Sequence, residues 1–108
     1  MEKRKGLESV KWGEIYYCDL GNTKGSVQSG RRPVLVVQTN QINRTSPTVI
    51  VAMITTARKK EALDTHVLLD TSCGLKHSSM VLLEQLRTVD KAEELLEYVG
   101  KVEDENLI

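Results

Sequence analysis

Phenylalanine is absent from this chain of 108 residues, and one tryptophan with three tyrosines brings the aromatics to only 4%. A core built without large rings has to rest on Val, Ile, Leu and Met, and β-branched residues favour strands. Cysteine is scarce too. Cys18 and Cys73 lack the CxxC spacing of a zinc or redox site, and they read as a pair of reduced thiols. Long apolar runs are missing: "VIVAMI" falls far short of a membrane span. The first residues, "MEKRKGLESVKW", are charged and have no apolar segment of the kind a signal peptide needs. The expectation is a soluble, cytoplasmic protein. Net charge is zero, which argues against long-range attraction of the whole surface to nucleic acid.

What is present is unevenly placed. Residues 1–33 hold seven Lys/Arg against four acids, and residues 34–83 hold five against three. Residues 84–108 hold three against eight, so a basic body precedes an acidic tail. A neutral total can therefore conceal a basic face. With 40% hydrophobic and 28% charged residues, the composition is that of one small globular domain rather than a disordered chain.

Five segments read as strands: 13–20, 32–39, 47–56, 65–70 and 79–89. "RPVLVVQT" and "PTVIVAMITT" are apolar without alternation, which predicts strands buried on both faces. Pro33 and Pro47 stand at strand entrances, where a missing N–H does little harm. One helix is signalled after Asp90, with Glu93 completing a capping box, Ala92, Leu95, Leu96 and Val99 on one face, and Gly100 as its stop. The final "VEDENLI" begins like a second helix. Strands dominate, so the expected architecture is a small, mainly β barrel or strongly curved antiparallel sheet with one or two short helices. So small a core makes a homodimer physically sensible.

The residues able to do chemistry gather around the stretch "GNTKGSVQSGRRPVLVVQ". Arg32 precedes Pro33 and is pushed toward extended geometry, so its side chain leaves from the first residue of a stiff strand. Thr55 closes the next apolar run. Antiparallel neighbours bring the start of one strand beside the end of the next, so a guanidinium fork and a hydroxyl would share one pocket, a fair phosphate clamp. Spacing alone leaves the plainer alternative standing, in which Arg32 caps a carboxylate and Thr55 merely ends a strand. The glycine-bearing loop of residues 21–31 is long for a hairpin, and its amides suit a single strand of RNA or a peptide. Glu84 and Gln85 interrupt an apolar strand, where a carboxylate needs a partner or a task, and pairing with Arg32 or Arg87 would supply one. Arg58, Lys59 and Lys60 form a basic turn. Trp12, Tyr16 and Tyr17 offer stacking surface for a base or simply pack the core. His66 and His77 have no third ligand at metal spacing.

Taken together, "WGEIYYCDL", "RPVLV", "SPTVIVA", "THV" and "LLEQLRT" resemble the MazF/PemK family of type II toxins, the messenger RNA interferases, with the segments in family order from about Gly13 to Leu107. The resemblance implies one toxin domain over 13–108 behind an N-terminal extension over 1–12. It implies an SH3-like barrel of the MazF, CcdB and Kid type, a homodimer, and a cognate antitoxin as partner. It implies cleavage of single-stranded mRNA without a metal or other cofactor, leaving a 2′,3′-cyclic phosphate and a 5′-hydroxyl. The family's catalytic pair falls on Arg32 and Thr55. Its RNA-binding positions fall on Ser26, Gln28, Arg58, Leu63, Glu84 and Gln85.

Two departures stand out. Val27 occupies a position that is acidic in many relatives, which leaves Glu84, a histidine or water as the base. The chain also stops at Ile108, about where relatives begin a full C-terminal helix, and dimerisation and antitoxin binding are the properties this touches. Two alternatives follow from the same fold: a non-enzymatic toxin of DNA gyrase, and a member that binds RNA without cutting it. Gyrase-directed relatives rely on a C-terminal Trp-Gly-Ile, whereas the only tryptophan here is Trp12.

Overall fold

The computed structural model describes residues 10–21, 30–56, 66–69 and 71–102. Its centre is set by the two apolar runs. The first forms β2 (Arg31–Val36); after β3 (Thr48–Thr55) come β4 (His66–Leu69), β5 (Ser79–Asp90) and β6 (Leu95–Lys101), while β1 (Glu14–Asp19) precedes them. All pairings are antiparallel, in the order β4-β5-β3-β2-β1-β6. Three strands stand between β5 and β6 in that order, yet only residues 91–94 separate them along the chain. The sheet must therefore curl until its two sides meet, which gives the small antiparallel barrel expected from the sequence.

Both faces of the central strands are covered, as the unalternating runs require. Tyr16, Cys18, Val34, Val36, Val51, Met53, Met80, Leu82 and Leu95 share one core cluster. Ile15, Leu35, Ala52, Ile54 and Val81 turn to the other face and pack against Leu69, Cys73, Leu75 and Val102. A fully buried aliphatic side chain contributes about 1.5–3 kcal/mol, so these two layers are the main source of stability.

A second, polar centre lies where β2 ends. Gln38 donates to the side-chain oxygen of Asn43 at 2.8 Å and to the Thr48 carbonyl at 3.1 Å, and Asn43 returns a bond to the Gln38 carbonyl at 2.8 Å. Lys91, 1% exposed, donates its ammonium to the Asn43 carbonyl. Asn40 accepts from the Trp12 amide at 2.6 Å. This network holds the short helix α1 (Asn40–Asn43), which has too few residues to leave a periodic signal in the sequence.

The helix expected after Asp90 does not form: residues 91–94 are a turn and Leu95–Lys101 is strand β6. The capping signal was nevertheless physically sound. Asp90 Oδ1 accepts from the Ala92 and Glu93 amides at 2.8 and 2.9 Å, and the Glu94 amide donates to the Asp90 carbonyl at 2.9 Å. Glu94 rather than Glu93 reaches back to the Asp90 amide, at 2.7 Å. The cap closes a single turn, and pairing with β1 then takes the following residues into the sheet. Gly100 is not a helix stop; a Cβ there would run into the Cys73 carbonyl, because the 3-10 turn at Thr71–Cys73 lies directly on β6. Of the expected tail helix, residues 103–108 lie outside the described residues. No helix among those described is long and apolar enough to cross a membrane.

Candidate active site

The register of β2 on β3 pairs Val34 with Met53, Leu35 with Ala52 and Val36 with Val51. Carried two residues further, it sets Arg32 opposite Thr55. Their faces agree as well, because Arg32 is two residues before Val34 and Thr55 two beyond Met53, both members of the first core cluster. Side chains directly opposed in this way have Cβ atoms roughly 4.5–5.5 Å apart. The row extends in both directions: Cys18 pairs with Arg32 on β1, and Met80 pairs with Thr55 on β5. Apolar neighbours thus flank a guanidinium and a hydroxyl where the buried face opens to solvent, with Arg32 exposed and Thr55 half-buried.

The adjacent arginine has a different role. Arg31 lies on the opposite face, and its Nη2 donates to both carboxylate oxygens of Glu97 at 2.5 and 2.6 Å. Its guanidinium also sits 5.7 Å from the centre of the Tyr17 ring. The Glu97 carboxyl is held below its ordinary value by its own backbone amide first and by Arg31 second. Arg31 therefore ties β2 to β6 across β1, while Arg32 lies on the other face of the strand.

Residues 21 and 30 are locked together at the base of the glycine-bearing loop. The Leu20 amide donates to the Gly30 carbonyl at 2.9 Å, and the Gly30 amide donates to the Gly21 carbonyl at 2.7 Å. Asp19 accepts from the Gly21 amide at 3.0 Å. Gly21 and Gly30 have φ of 71° and 76°, left-handed values that suit glycine at both ends of a tight hinge. Ser26 and Gln28 lie on the segment this hinge carries, outside the described residues, as do Arg58 and Leu63.

Glu84 and Gln85 fall in an irregularity of β5. Thr48 to Ala52 of β3 pair with Asp90 to Leu86, whereas Met53 to Thr55 pair with Leu82 to Met80. Leu83, Glu84 and Gln85 have no partner on β3 and form a three-residue bulge, a device that re-aims side chains beside sites. Glu84 is exposed and Gln85 half-buried. They stand four and five residues along β5 from Met80, about 13–17 Å of strand, so they do not join the Arg32–Thr55 pair.

Other groups are set apart from the chemistry. Burial above all, then Glu94, pushes the Cys18 thiol up to about 12, so it stays protonated beside Arg32. Tyr16 is fully buried with its hydroxyl on Glu14 at 3.0 Å, which removes it from the proposed stacking surface. Tyr17 and Trp12 are half-exposed, with Tyr17 already under Arg31. Among the described residues no three His, Cys, Asp or Glu side chains gather as metal ligands would. Arg87 is the site-proximal residue that sequence reasoning did not single out for itself. Its Nη2 donates to the Leu20 carbonyl at 3.3 Å, a contact across 67 residues that no local pattern announces.

The curated Endoribonuclease EndoA of Bacillus subtilis (strain 168) is 46% identical over 97 residues, covering 89% of this chain and 83% of the relative. Endoribonuclease MazF of Staphylococcus saprophyticus is 45% identical over 83 residues, covering 76% and 69%. A solved mycobacterial endoribonuclease in complex with its cognate antitoxin matches at a TM-score of 0.74 and 29% identity, over 92% of this chain and 84% of that one. MazF of Deinococcus radiodurans, at TM-score 0.69 and 22% identity over 86% and 81%, shares the fold. The family described as PemK-like, MazF-like toxin of type II toxin-antitoxin system matches residues 11–108, and the chain belongs to it.

Proposed function

We propose that this protein is the toxin of a type II toxin-antitoxin pair and acts in the cytoplasm as a metal-independent endoribonuclease on single-stranded mRNA. The observation that carries this reading is the register that sets Arg32 opposite Thr55 on one face of the sheet. The names of the relatives support the reaction class, endoribonuclease. None of them favours a gyrase-directed toxin.

The substrate supplies its own nucleophile. The ribose 2′-oxygen attacks the adjacent phosphorus, the bond to the 5′-oxygen breaks, and a 2′,3′-cyclic phosphate and a 5′-hydroxyl result. Arg32 balances charge growing on the non-bridging oxygens, and Thr55 donates to one of them. A preorganised donor of this kind contributes about 10²–10³ in rate. Arg32 itself stays protonated and is no base. The 2′-proton therefore leaves to solvent, and a proton returns to the departing 5′-oxygen. Ser26, Gln28, Arg58, Leu63, Glu84 and Gln85 hold the strand on either side, with the bulge meeting a neighbouring base rather than the scissile phosphate. DNA, lacking the 2′-hydroxyl, is not cut.

A cognate antitoxin is the partner this reading requires, as the antitoxin-bound structural neighbour supports. A homodimer belongs to the same proposal. Ile50 and Leu86 share one face of β3 and β5 and remain 38% and 54% exposed, apolar area a second copy would cover. The test is incubation of the protein with a long unstructured RNA and a matched DNA, with and without EDTA, followed by mapping of the ends. The expected result is EDTA-resistant cleavage of RNA at a recurring short motif, lost in Arg32→Ala and Thr55→Ala. RNA bound but left intact would overturn the enzymatic reading.

A further inference from the structure

The two stretches proposed to hold RNA, the loop after Gly21 and the bulge of β5, lie on strands that are not neighbours in the sheet. Between β1 and β5 stand β2 and β3. One described side-chain hydrogen bond crosses that gap directly: Arg87, two residues past Gln85, donates Nη2 to the carbonyl of Leu20. Arg87 shares the face of Val89 and pairs with Val51, so its side chain enters the barrel from the first-cluster side. Leu20 is itself buried, two residues beyond Cys18, the cross-strand partner of Arg32. Its amide is already committed to Gly30, so Arg87 completes the hydrogen bonding of the residue from which the loop departs. Arg87 and Glu94 both bear on the Cys18 thiol, which puts the two around the same buried corner.

We propose that Arg87 is a positioning residue that fixes the hinge of the glycine-bearing loop to the β5 bulge, holding both RNA-contacting stretches in one frame with Arg32. Built on the ribonuclease reading, this assigns Arg87 no contact with the scissile phosphate. A guanidinium suits the task because it stays charged and presents a planar set of donors, and charge-assisted bonds to a carbonyl are stronger than neutral ones. Misplacement of a catalytic group by about 1 Å costs on the order of 10²-fold in rate, so a loosened hinge should be visible in turnover.

The experiment pairs amide hydrogen exchange with RNA cleavage in Arg87→Met, which keeps the length and removes the donors, and in Arg87→Lys, which restores a donor and the charge. In Arg87→Met, exchange at Leu20 and Gly30 is expected to quicken about tenfold or more while Leu35 and Ala52 stay protected. Cleavage should fall by a similar factor, and Arg87→Lys should recover much of both. Lost cleavage with unchanged hinge exchange would mean that Arg87 acts on the RNA itself, and would overturn the proposal. So would a quickened hinge with parental cleavage, or exchange accelerated equally through the core. Should Arg87→Met fail to fold, the same two readouts in Arg87→Lys decide, since its weaker bond predicts a smaller loss in both. An inactive parent protein is a separate result, and it removes the ribonuclease reading.

Discussion

Polar side chains collect in two regions of this barrel, with opposite habits. Gln38, Asn43 and Lys91 are 8%, 0% and 1% exposed, and their polar atoms are satisfied by the protein itself. Arg32 and Thr55 end an apolar row at the surface, one exposed and the other half-buried. The buried group joins α1, the exit of β2, the entry of β3 and the turn into β6, so it serves the fold. The surface pair lies at the edge of the packed core, where a guanidinium and a hydroxyl remain within reach of solvent. The contrast separates residues that hold the barrel from residues the barrel holds out.

The contrast breaks if the two regions trade effects. Arg32→Ala should lower RNA cleavage by about 10²–10³ while changing unfolding free energy by no more than about 0.5 kcal/mol. Denaturant melts run beside end-point cleavage assays check both halves. Asn43→Ala should do the reverse, destabilising by roughly 2–4 kcal/mol through the buried groups it leaves unpaired. Its cleavage per folded molecule should stay near parental. A stable but inactive Asn43→Ala would erase the distinction.

Smaller effects sharpen the comparison. Cys18 pairs with Arg32 yet is buried, with its thiol pushed up to about 12. Iodoacetamide at pH 8 should therefore label it only after unfolding; rapid labelling of the folded protein would show that the row is open further inward than described. Glu97→Gln should move the melting temperature least, because the Arg31 pair is exposed and such pairs contribute little. Its sign is still definite. A carboxyl held below its ordinary value adds stability above that value, and the contribution fades as pH falls through the lowered folded value. The gap between parent and Glu97→Gln should thus narrow as pH falls below the ordinary carboxylate range, as thermal melts across an acid series would record.

Much of the fold was legible because burial on both faces leaves a plain mark. "VLVV" and "VIVAMI" admit few readings other than central strands; Pro47 stands just before its strand as expected, whereas Pro33 is the third residue of β2, opposite Tyr17, rather than its entrance. Strand order and antiparallel sense gave the expectation that Arg32 and Thr55 lie opposite each other, but not what either side chain does. Residues 90–101 were misread for a physical reason. Asp90 does cap the amides that follow it, but one turn of helix cannot outweigh a ladder with β1, formed by residues about eighty positions away. The same limit hid the Arg31–Glu97 pair and the Arg87–Leu20 bond, separated by 66 and 67 residues. Local patterns report what a residue prefers; these contacts depend on where the chain returns.

The ladder between β3 and β5 is pinned independently on each side of Leu83, Glu84 and Gln85. Leu83 still packs on the second core cluster, but neither register runs through Glu84 and Gln85, so replacing those two need not disturb the pairing of Met53 with Leu82 or of Ala52 with Leu86. If the bulge meets a neighbouring base, as proposed, that contact can change at Glu84 and Gln85 while the two halves of the ladder keep their pairing.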